Sequence, residues 1–156
     1  MPNANRRRGY AALRNGRRSI ADQAYLITFV THQRRRLFED SDLAMIASRA
    51  TEDHRLWTSS QLLAWVLMPD HWHGIVVVGT RDTLPRAMQR LKSNTARVVR
   101  DTQTDIGQVW AFGYHDHALR AGEAPMEAAR YIVRNPVAAG LVTRVGDYPF
   151  WNAAWL

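Results

Sequence analysis

The chain has 156 residues, of which 46% are hydrophobic, with no cysteine and a formal net charge of +7. This length suits one domain with a single core, and the lack of cysteine excludes disulfides and thiolate zinc clusters. No apolar run is long enough to span a bilayer, so we expect a cytoplasmic protein with no membrane partner.

The positive charge is nearly all arginine, because Lys92 is the only lysine among 21 basic residues. The planar guanidinium suits phosphate geometry, so an arginine excess is typical of proteins that bind a polyanion. A GC-rich genome, which encodes arginine in place of lysine, would give the same composition. Composition alone therefore leaves both explanations open.

Residues 1–22 are basic and show little periodicity. Their arginines are Arg6, Arg7, Arg8, Arg14, Arg17 and Arg18. We expect an irregular N-terminal arm that lies along a phosphate backbone, with a solvated tail as the alternative. Residues 23–156 are expected to form the folded domain.

The first half of this domain predicts three strands and one helix, from its β-branched and aromatic runs and its capping residues. In chain order, they are a strand over Tyr25–His32, a basic turn over Gln33–Arg36, a helix from Asp40 or Ser41 to about Ala50, and strands over Gln61–Met68 and His71–Gly79. Pro69 and Asp70 make the turn of the hairpin that the last two strands form.

The second half predicts two helices and a fourth strand. In order, they are a helix capped by Asp82 or Thr83 with Pro85 in its first turn, a strand over Val109–Leu119, a helix opened by residues 122–125 and running through Asn135 until Pro136 stops it, and an aromatic tail. The order β-α-β-β-α-β predicts an α+β fold of the ferredoxin-like, split β-α-β type. Its four-stranded antiparallel sheet would have the two main helices on one face, and a C-terminal helix would carry Tyr131.

Two histidine pairs could each bind a divalent ion. His71 and His73 begin the third strand, where alternation places both on one face, roughly 7 Å apart along the strand, and turns Trp72 to the other face. His115 and His117 have the same spacing, with a carboxylate between them. Histidines with ordinary hydrogen bonds give the same pattern, so the pattern alone does not choose among these possibilities.

Tyr131 and Asn135 stand four residues apart, which places them on one face of the predicted helix. Asn135 could offer its amide oxygen to a metal while Tyr131 presents its phenol one turn away. A packed tyrosine and an asparagine that ends the helix before a proline are the structural alternative.

Three segments carry a resemblance to a known family. They are Trp65–Val76 (WVLMPDHWHGIV), Phe112–Arg120 (FGYHDHALR) and Tyr131–Val142 (YIVRNPVAAGLV). In order and spacing they resemble the REP-associated tyrosine transposases, relatives of the single-tyrosine HUH transposases of small insertion sequences. The resemblance covers roughly residues 22–150.

This resemblance implies that His71, His73 and Asn135 bind Mg²⁺ or Mn²⁺ and that Tyr131, not Tyr114, is the nucleophile. It further implies an enzyme that nicks and joins single-stranded DNA with REP hairpins through a 5′-phosphotyrosine intermediate. A bacterial, nucleoid-associated monomer is expected, with a dimer as the alternative. Relatives often have an aromatic residue at the position of Val133, which is the one departure.

Phosphate contacts are expected from the basic arm, from the turn after the first strand and from the second helix, and unpaired bases can stack on exposed aromatic side chains. The residues expected to bind DNA are Arg6, Arg7, Arg8, Arg17, Arg18, Arg34, Arg35, Arg36, Arg86, Arg90, Arg97, His117 and Arg120.

Three other functions fit parts of this pattern. A domesticated module could bind single-stranded or hairpin DNA without cutting it. A metal-dependent phosphoesterase could use water as the nucleophile and keep Tyr131 for structure. A basic ferredoxin-like domain could bind RNA through stacking aromatics, which would make the histidine pair accidental.

Deleting residues 1–22 is expected to weaken DNA binding and to flatten its salt dependence. The log–log slope should fall by about 0.7 for every phosphate of a single strand that the arm no longer neutralises. Binding titrations at several salt concentrations measure this slope. An unchanged slope after the deletion would show that the arm does not bind phosphates.

Overall fold

The computed structural model describes residues 22–155, which form one antiparallel sheet, four α-helices and short 3-10 turns. The strands are β1 (Ala24–Val30), β2 (Ser60–Met68), β3 (His71–Val78), β4 (His115–Ala118) and β5 (Trp151–Ala153), in the spatial order β4-β1-β3-β2-β5. The helices are α1 (Ser41–Thr51), α2 (Leu84–Thr102), α3 (Pro125–Val133) and α4 (Asn135–Ala138). The α+β class is confirmed, and the predicted order β-α-β-β-α-β is present from β1 to β4.

The predicted count of four strands is wrong, because the aromatic tail adds a fifth strand beside β2. In this strand Ala153 pairs with Ala64, and Trp151 pairs with Val66. The tail is also held just before β5, where the Tyr148 hydroxyl donates to the carbonyl oxygen of Leu67 at 2.5 Å. A three-residue strand is too short to show the alternation by which a strand is recognised in a sequence.

The fourth strand is shorter than the predicted range of residues 109–119. Trp110 forms only an isolated bridge with Thr31, and regular pairing with β1 begins at His115. Between these points Gly113 has a φ of +82°, a left-handed conformation that favours glycine. The chain therefore turns at Gly113 before it rejoins the sheet.

The starts of α1 and α2 agree with the predicted caps. The Asp40 side chain accepts hydrogen bonds from the backbone N–H groups of Asp42 and Leu43, and the Thr83 side chain accepts one from that of Arg86. These caps satisfy N–H groups that have no partner within the helix.

The predicted stop at Pro136 is wrong. Helix α3 already ends at Val133, and Pro136 lies in the first turn of α4. A proline is tolerated at this position, because the N–H that it lacks would have no intrahelical partner there.

Helices α1 and α2 pack together on one face of the sheet, as predicted. On this face the rings of Phe29 and Trp72 are stacked with centroids 5.1 Å apart, and Trp110 meets Phe29 edge-on at 4.6 Å. The Trp110 indole N–H donates to Thr95 Oγ1 of α2 at 2.8 Å. Aromatic side chains therefore form the centre of the core between the sheet and these two helices.

The opposite face of the sheet carries His71 and His73, and we call it the histidine face. Register places Ala64, Ile75 and Ala153 on this face as well. Helix α3 contacts β2, β3 and β5, and its Ala129 lines a small apolar pocket together with Ala153. The histidine face is thus partly covered by the helix that carries Tyr131.

A buried ion pair joins the start of α2 to the hairpin. The two terminal guanidinium nitrogens of Arg90, Nη1 and Nη2, donate to the Asp82 carboxylate at 3.0 and 2.5 Å, and the Ser60 hydroxyl donates to it at 2.6 Å. The Asp82 side chain is 2% exposed. Burial alone would raise the pKa of Asp82, but these hydrogen bonds outweigh it and lower the pKa to about 2.

Asp82→Asn is expected to lower the free energy of unfolding by about 1.5–3 kcal/mol near neutral pH, because it removes charge-assisted hydrogen bonds from a buried site. The lowered pKa means that the carboxylate stabilises the fold fully above a pH of about 4 and loses this effect as the pH falls towards about 2. Urea unfolding at several pH values should therefore show the two proteins converging as the pH is lowered.

The matched control is Arg97→Gln, which removes an exposed pair with Asp101 and should cost less than about 1 kcal/mol. If the free energies of unfolding of the wild type and Asp82→Asn kept a constant difference at all pH values, the stabilising role of the ionised Asp82 carboxylate would be contradicted.

Candidate functional site

His71 and His73 occupy the start of β3, where the turn of the hairpin delivers the chain to the sheet. Both are half-buried and lie on the histidine face, while Trp72 between them is fully buried on the other face. Their ring centroids are 6.3 Å apart and the ring planes are inclined by 76°. The two imidazoles are thus close enough to share one ion.

The hydrogen bonds of His73 fix which ring nitrogen is available. Its Nδ1 lies 3.0 Å from the carbonyl oxygen of Ile27 and also contacts the hydroxyl of Thr28. A carbonyl oxygen can only accept, so Nδ1 carries the proton and Nε2 keeps its lone pair. Burial and the charge of neighbouring His71 lower the pKa of His73 to about 4, against the opposing effect of the Ile27 hydrogen bond. His73 is therefore neutral at physiological pH.

His71 is oriented in the same way by a carboxylate. Its Nδ1 lies 2.8 Å from Asp70 Oδ1, and the other oxygen of Asp70 lies 3.1 Å from Arg34 Nε. Burial would raise the pKa of Asp70, but the hydrogen bond from His71 and the charges of His71, Arg34 and Arg36 lower it. The ionised carboxylate accepts from Nδ1–H, which leaves Nε2 of His71 as the second available nitrogen.

Two histidines that each donate Nδ1–H to a carbonyl or carboxylate are the arrangement found in protein metal sites, where such partners fix the tautomer and the ring orientation. Within residues 22–155 no group of three or more histidine, aspartate and glutamate side chains is placed to hold a metal ion. An amide oxygen is a further ligand type that suits a hard divalent cation. The residues present fit a divalent ion with open coordination positions.

Tyr131 and Tyr114 differ sharply in exposure. Tyr131 lies on α3 with its side chain 70% exposed, whereas Tyr114 is half-buried and packs against the core. Of the two phenols, Tyr131 is the one presented to solvent by a helix on the histidine face.

Asn135 is half-buried and begins α4 instead of ending the helix that carries Tyr131. The residue between the two helices, Arg134, keeps helical angles, with φ −82° and ψ −8°. The carbonyl oxygens of Arg134 and Asn135 accept from the N–H groups of Ala138 and Ala139. The path from Tyr131 to Asn135 is therefore close to helical in spite of the interruption.

The competing pair, His115 and His117, lies on the same face but two strands away. Thr28 of β1 pairs with His73 on one side and with His115 on the other, so the backbones of the two histidine pairs are roughly 10 Å apart. His117 lies at the edge of the sheet, where its Nε2 contacts Glu123 at 3.2 Å. Nε2 of His117 is thus engaged by Glu123, whereas in His71 and His73 the engaged nitrogen is Nδ1 and Nε2 stays available for an ion.

The three arginines of the basic turn after β1 have different partners, and only Arg34 contacts a residue next to the histidine pair. Arg34 contacts Asp70 as described and is 59% exposed. Arg35 donates to the carbonyl oxygens of Ile106 and Gln108, and Arg36 pairs with Glu39. Arg35 therefore braces the chain before β4, a structural role that its position in a basic run does not reveal.

The other predicted DNA-binding residues are not brought together with the histidines. Arg86, Arg90 and Arg97 lie on α2, across the sheet from the histidine face. Arg90 is held by Asp82, and Arg97 contacts Asn94 and Asp101. Arg120 is exposed just after β4. The remaining predicted residues, Arg6, Arg7, Arg8, Arg17 and Arg18, lie outside the described residues.

The sequence analysis did not identify Asp70, Thr28 and the Ile27 carbonyl as partners of the two candidate histidines. The sequence pattern marks Asp70 only as a turn residue, and the other two belong to a strand 45 and 46 residues before His73. The position of Asp70 directly before His71 is the one signal that could have identified it.

Comparison with known proteins defines the class. Residues 19–135 match the family model described as IS200-like transposases, and because the match covers more than half of the chain, the chain belongs to this family. The REP-associated tyrosine transposase of Escherichia coli strain K12 is 29% identical over 92 residues, which make up 58% of this chain and 52% of that protein. The chain thus spans about half the length of this curated relative. The resemblance found in the three sequence segments is confirmed.

Solved structures share the fold. The structure of a REP-associated tyrosine transposase bound to a REP hairpin matches with a TM-score of 0.65 and 22% identity, over 86% of this chain and 79% of that one. A candidate transposase from Deinococcus radiodurans R1 matches at 0.52 and 19%, over 74% and 93%. A bacterial tRNA(His) guanylyltransferase-like protein in complex with GTP matches at 0.50 and 12%, over 91% and 79%. One fold here accompanies different chemistries, so function must be argued from the site. Among residues 22–155, no helix has the length and apolar character needed to cross a membrane.

Long-range ¹H–¹⁵N NMR spectra at neutral pH are expected to show His71 and His73 with the proton on Nδ1. Asp70→Ala should move His71 towards a mixture of tautomers and leave His73 unchanged, because only His71 loses its acceptor. The matched control is Asp53→Ala, which removes a carboxylate paired with Arg55 and should change neither ring. An Nε2-protonated His71 in the wild type would contradict a ring oriented by the Asp70 carboxylate.

Proposed function

We propose that this chain nicks and rejoins single-stranded DNA with Tyr131 as the nucleophile. The observation that carries the proposal is an exposed phenol on a helix that packs over the same sheet face as two oriented histidines. A site for phosphoryl transfer needs a nucleophile and a means of neutralising charge on the phosphate, and this face supplies candidates for both.

His71 and His73, through Nε2, and Asn135, through its amide oxygen, are the proposed ligands of a divalent ion. Mg²⁺ and Mn²⁺ are the proposed ions, because two nitrogens and one oxygen leave positions open for phosphate oxygens. When bound, the ion would polarise the scissile phosphate and neutralise the charge that develops during attack. Asp70 and the Ile27 carbonyl would hold the two rings in place for this purpose.

The proposed step exchanges one phosphodiester for another. Tyr131 Oη loses its proton and attacks the scissile phosphorus, the bond from phosphorus to the 3′ oxygen breaks, and that oxygen takes up a proton to become a 3′-OH. The 5′ phosphate remains on Tyr131 as a phosphotyrosine. Because the ester bond is conserved, a 3′-OH can attack it in reverse and rejoin DNA without a nucleotide cofactor.

The proposed substrate is single-stranded DNA that carries REP-type hairpins. The curated relative is named as REP-associated, and the solved relative is bound to a REP hairpin. The exposure of Arg34 beside Asp70 supports a contact of this residue with the phosphate backbone near the site. We further propose that the chain acts as a monomer in the bacterial cytoplasm, associated with the nucleoid, and that the arginines of its N-terminal arm contact phosphates.

The test is a cleavage assay with labelled REP-type hairpin oligonucleotides and Mg²⁺ or Mn²⁺, resolved on a denaturing protein gel. The wild type should form a covalent protein–DNA adduct that Tyr131→Phe abolishes and chelation of the metal prevents. Tyr114→Phe is the matched control and should keep the adduct. Asp70→Ala should slow its formation roughly 10- to 100-fold, the usual effect of losing the partner of a metal-ligating histidine.

Each other outcome selects a different function. Cleavage without an adduct would indicate a water nucleophile and a phosphoesterase. An adduct that survives in Tyr131→Phe and is lost in Tyr114→Phe would move the nucleophile to Tyr114. Tight hairpin binding with no cleavage under any metal would indicate a domesticated binding module.

A further inference from the structure

A small apolar pocket lies between α3 and β5, and one of its walls is the residue that precedes Tyr131. We call it the α3–β5 pocket, and its walls are Met126, Ala129, Arg130, Ala153 and Trp155. Its volume is about 210 Å³. An apolar cavity of about 150 Å³ is already large enough to hold a benzene ring. The pocket can therefore take one planar ring of the size of a nucleobase.

Two walls of this pocket are large apolar side chains that remain partly in contact with water. Met126 and Trp155 are each 40% exposed. A single exposed apolar side chain is common on a protein surface, but two that line the same concave site are typical of a place where a ligand binds. A ring that entered the pocket would remove both side chains from water, which is favourable.

The backbone around the pocket is fixed without any ligand. On one side Ala153 pairs with Ala64 of β2, and the Ala154 N–H donates to the Leu63 carbonyl at 2.7 Å. On the other side Ala129 of α3 is buried against the sheet. A ligand would therefore meet preformed walls, and its binding would cost the protein little conformational entropy.

The rim of the pocket is positively charged. Arg130 lines the pocket and is exposed, and Arg134 is exposed one turn further along the same helical path. Side chains four residues apart on a helix are neighbours, so these two positive charges repel each other. Glu127 is the only acidic residue of α3, which leaves positive charge in excess. An anion bound beside the two arginines would remove the repulsion, and a phosphate suits guanidinium geometry.

We propose that the α3–β5 pocket binds one unpaired base of the DNA strand that Tyr131 attacks, with the phosphate of that nucleotide at Arg130 and Arg134. The inference rests on the proposed function. Consecutive residues of a helix point about 100° apart, so a base held beside Arg130 would lie next to the Tyr131 phenol without covering it. The pocket would thus help to select the phosphate that is attacked.

A nucleotide is the occupant that matches both features of this site. Its base needs an apolar and aromatic surface, which Met126 and Trp155 supply. Its phosphate needs cations, which the arginines at the rim supply. A protein partner would instead bury roughly 800 Å² on each side, far more than a pocket for one ring offers.

The experiment measures binding to the full chain with a chelator present, so that binding is separated from cleavage. The probe is a DNA hairpin with an unpaired extension, in which an abasic nucleotide replaces each unpaired nucleotide in turn. Removal of one particular base should weaken binding to the wild type. Trp155→Ala should weaken binding of the intact probe roughly 5- to 150-fold, the range that loss of one base–aromatic stack produces. The same variant should no longer respond to removal of that base, whereas Trp155→Phe should still respond.

Two matched pairs of variants serve as controls. Met126 and Met45 are similarly exposed, at 40% and 38%, but Met45 lies on α1, across the sheet. Met126→Ala should therefore weaken binding, and Met45→Ala should not. Arg130→Gln should lower the log–log salt slope by about 0.7, the value for one phosphate of a single strand. Arg49→Gln, at an exposed position of α1, should leave the slope unchanged.

Equal affinity for the wild type and Trp155→Ala, or the same response of both to every abasic position, would overturn the inference. A loss of self-association in Trp155→Ala with unchanged DNA binding would also overturn it and would indicate contact between copies of the chain. The adduct assay is independent of this result. A base whose effect depends on Trp155, without any adduct, would support the pocket and refute the nuclease, and an adduct with no such base would do the reverse.

Discussion

The pairing of β1 with β3 is the interaction on which the site depends. This ladder brings the Ile27 carbonyl and the Thr28 hydroxyl to Nδ1 of His73. Just beyond it, the Thr31 N–H donates to the Asp70 carbonyl at 2.9 Å and fixes the turn that orients His71. Both imidazoles are thus oriented by groups that the sheet must place anyway in order to close its own backbone hydrogen bonds. A ligand pair set in this way has little orientational freedom to lose when an ion binds.

The same strand also connects the site to the rest of the molecule. On its other side β1 pairs with β4 and its Val30 carbonyl accepts from the Ala111 N–H, so the loop before β4 and the histidine pair share one support. On its core face Phe29 stacks with Trp72 and lies beneath the Lys92 ammonium. Loss of packing at Phe29 would therefore disturb both the strand that carries the histidine pair and the chain that leads into β4.

Local pattern was enough to predict β1, β2 and β3, the caps of α1 and α2 and the shared face of His71 and His73, because each of these follows from residues a few positions apart. It missed β5 and made β4 too long. Long-range contacts were not accessible in the same way. The carboxylate of Asp82, just before α2, accepts hydrogen bonds from Arg90 of that helix and from Ser60 of β2. Arg35 is indistinguishable in sequence from Arg34 and Arg36, yet it binds carbonyl groups more than 70 residues away. An arginine in a basic run can contact phosphate only if no tertiary contact already engages its guanidinium. Counting basic residues therefore overestimates the number of DNA contacts.

The register that serves the site is enforced by the core. A shift of β3 by one residue would exchange the two faces of the strand, moving the histidines inward and Trp72 outward. Trp72 is fully buried, and its indole lies over Gly74, where an added Cβ would overlap the ring. Only glycine leaves room for this ring, so the short run His71–Gly74 encodes an anchor on one face and a ligand pair on the other. Burial of the large Trp72 side chain stabilises this register, in spite of an indole N–H that is buried with no hydrogen-bond partner in the described part of the chain. Packing on one face therefore fixes the register, and the polar contacts on the other face orient the two histidine rings.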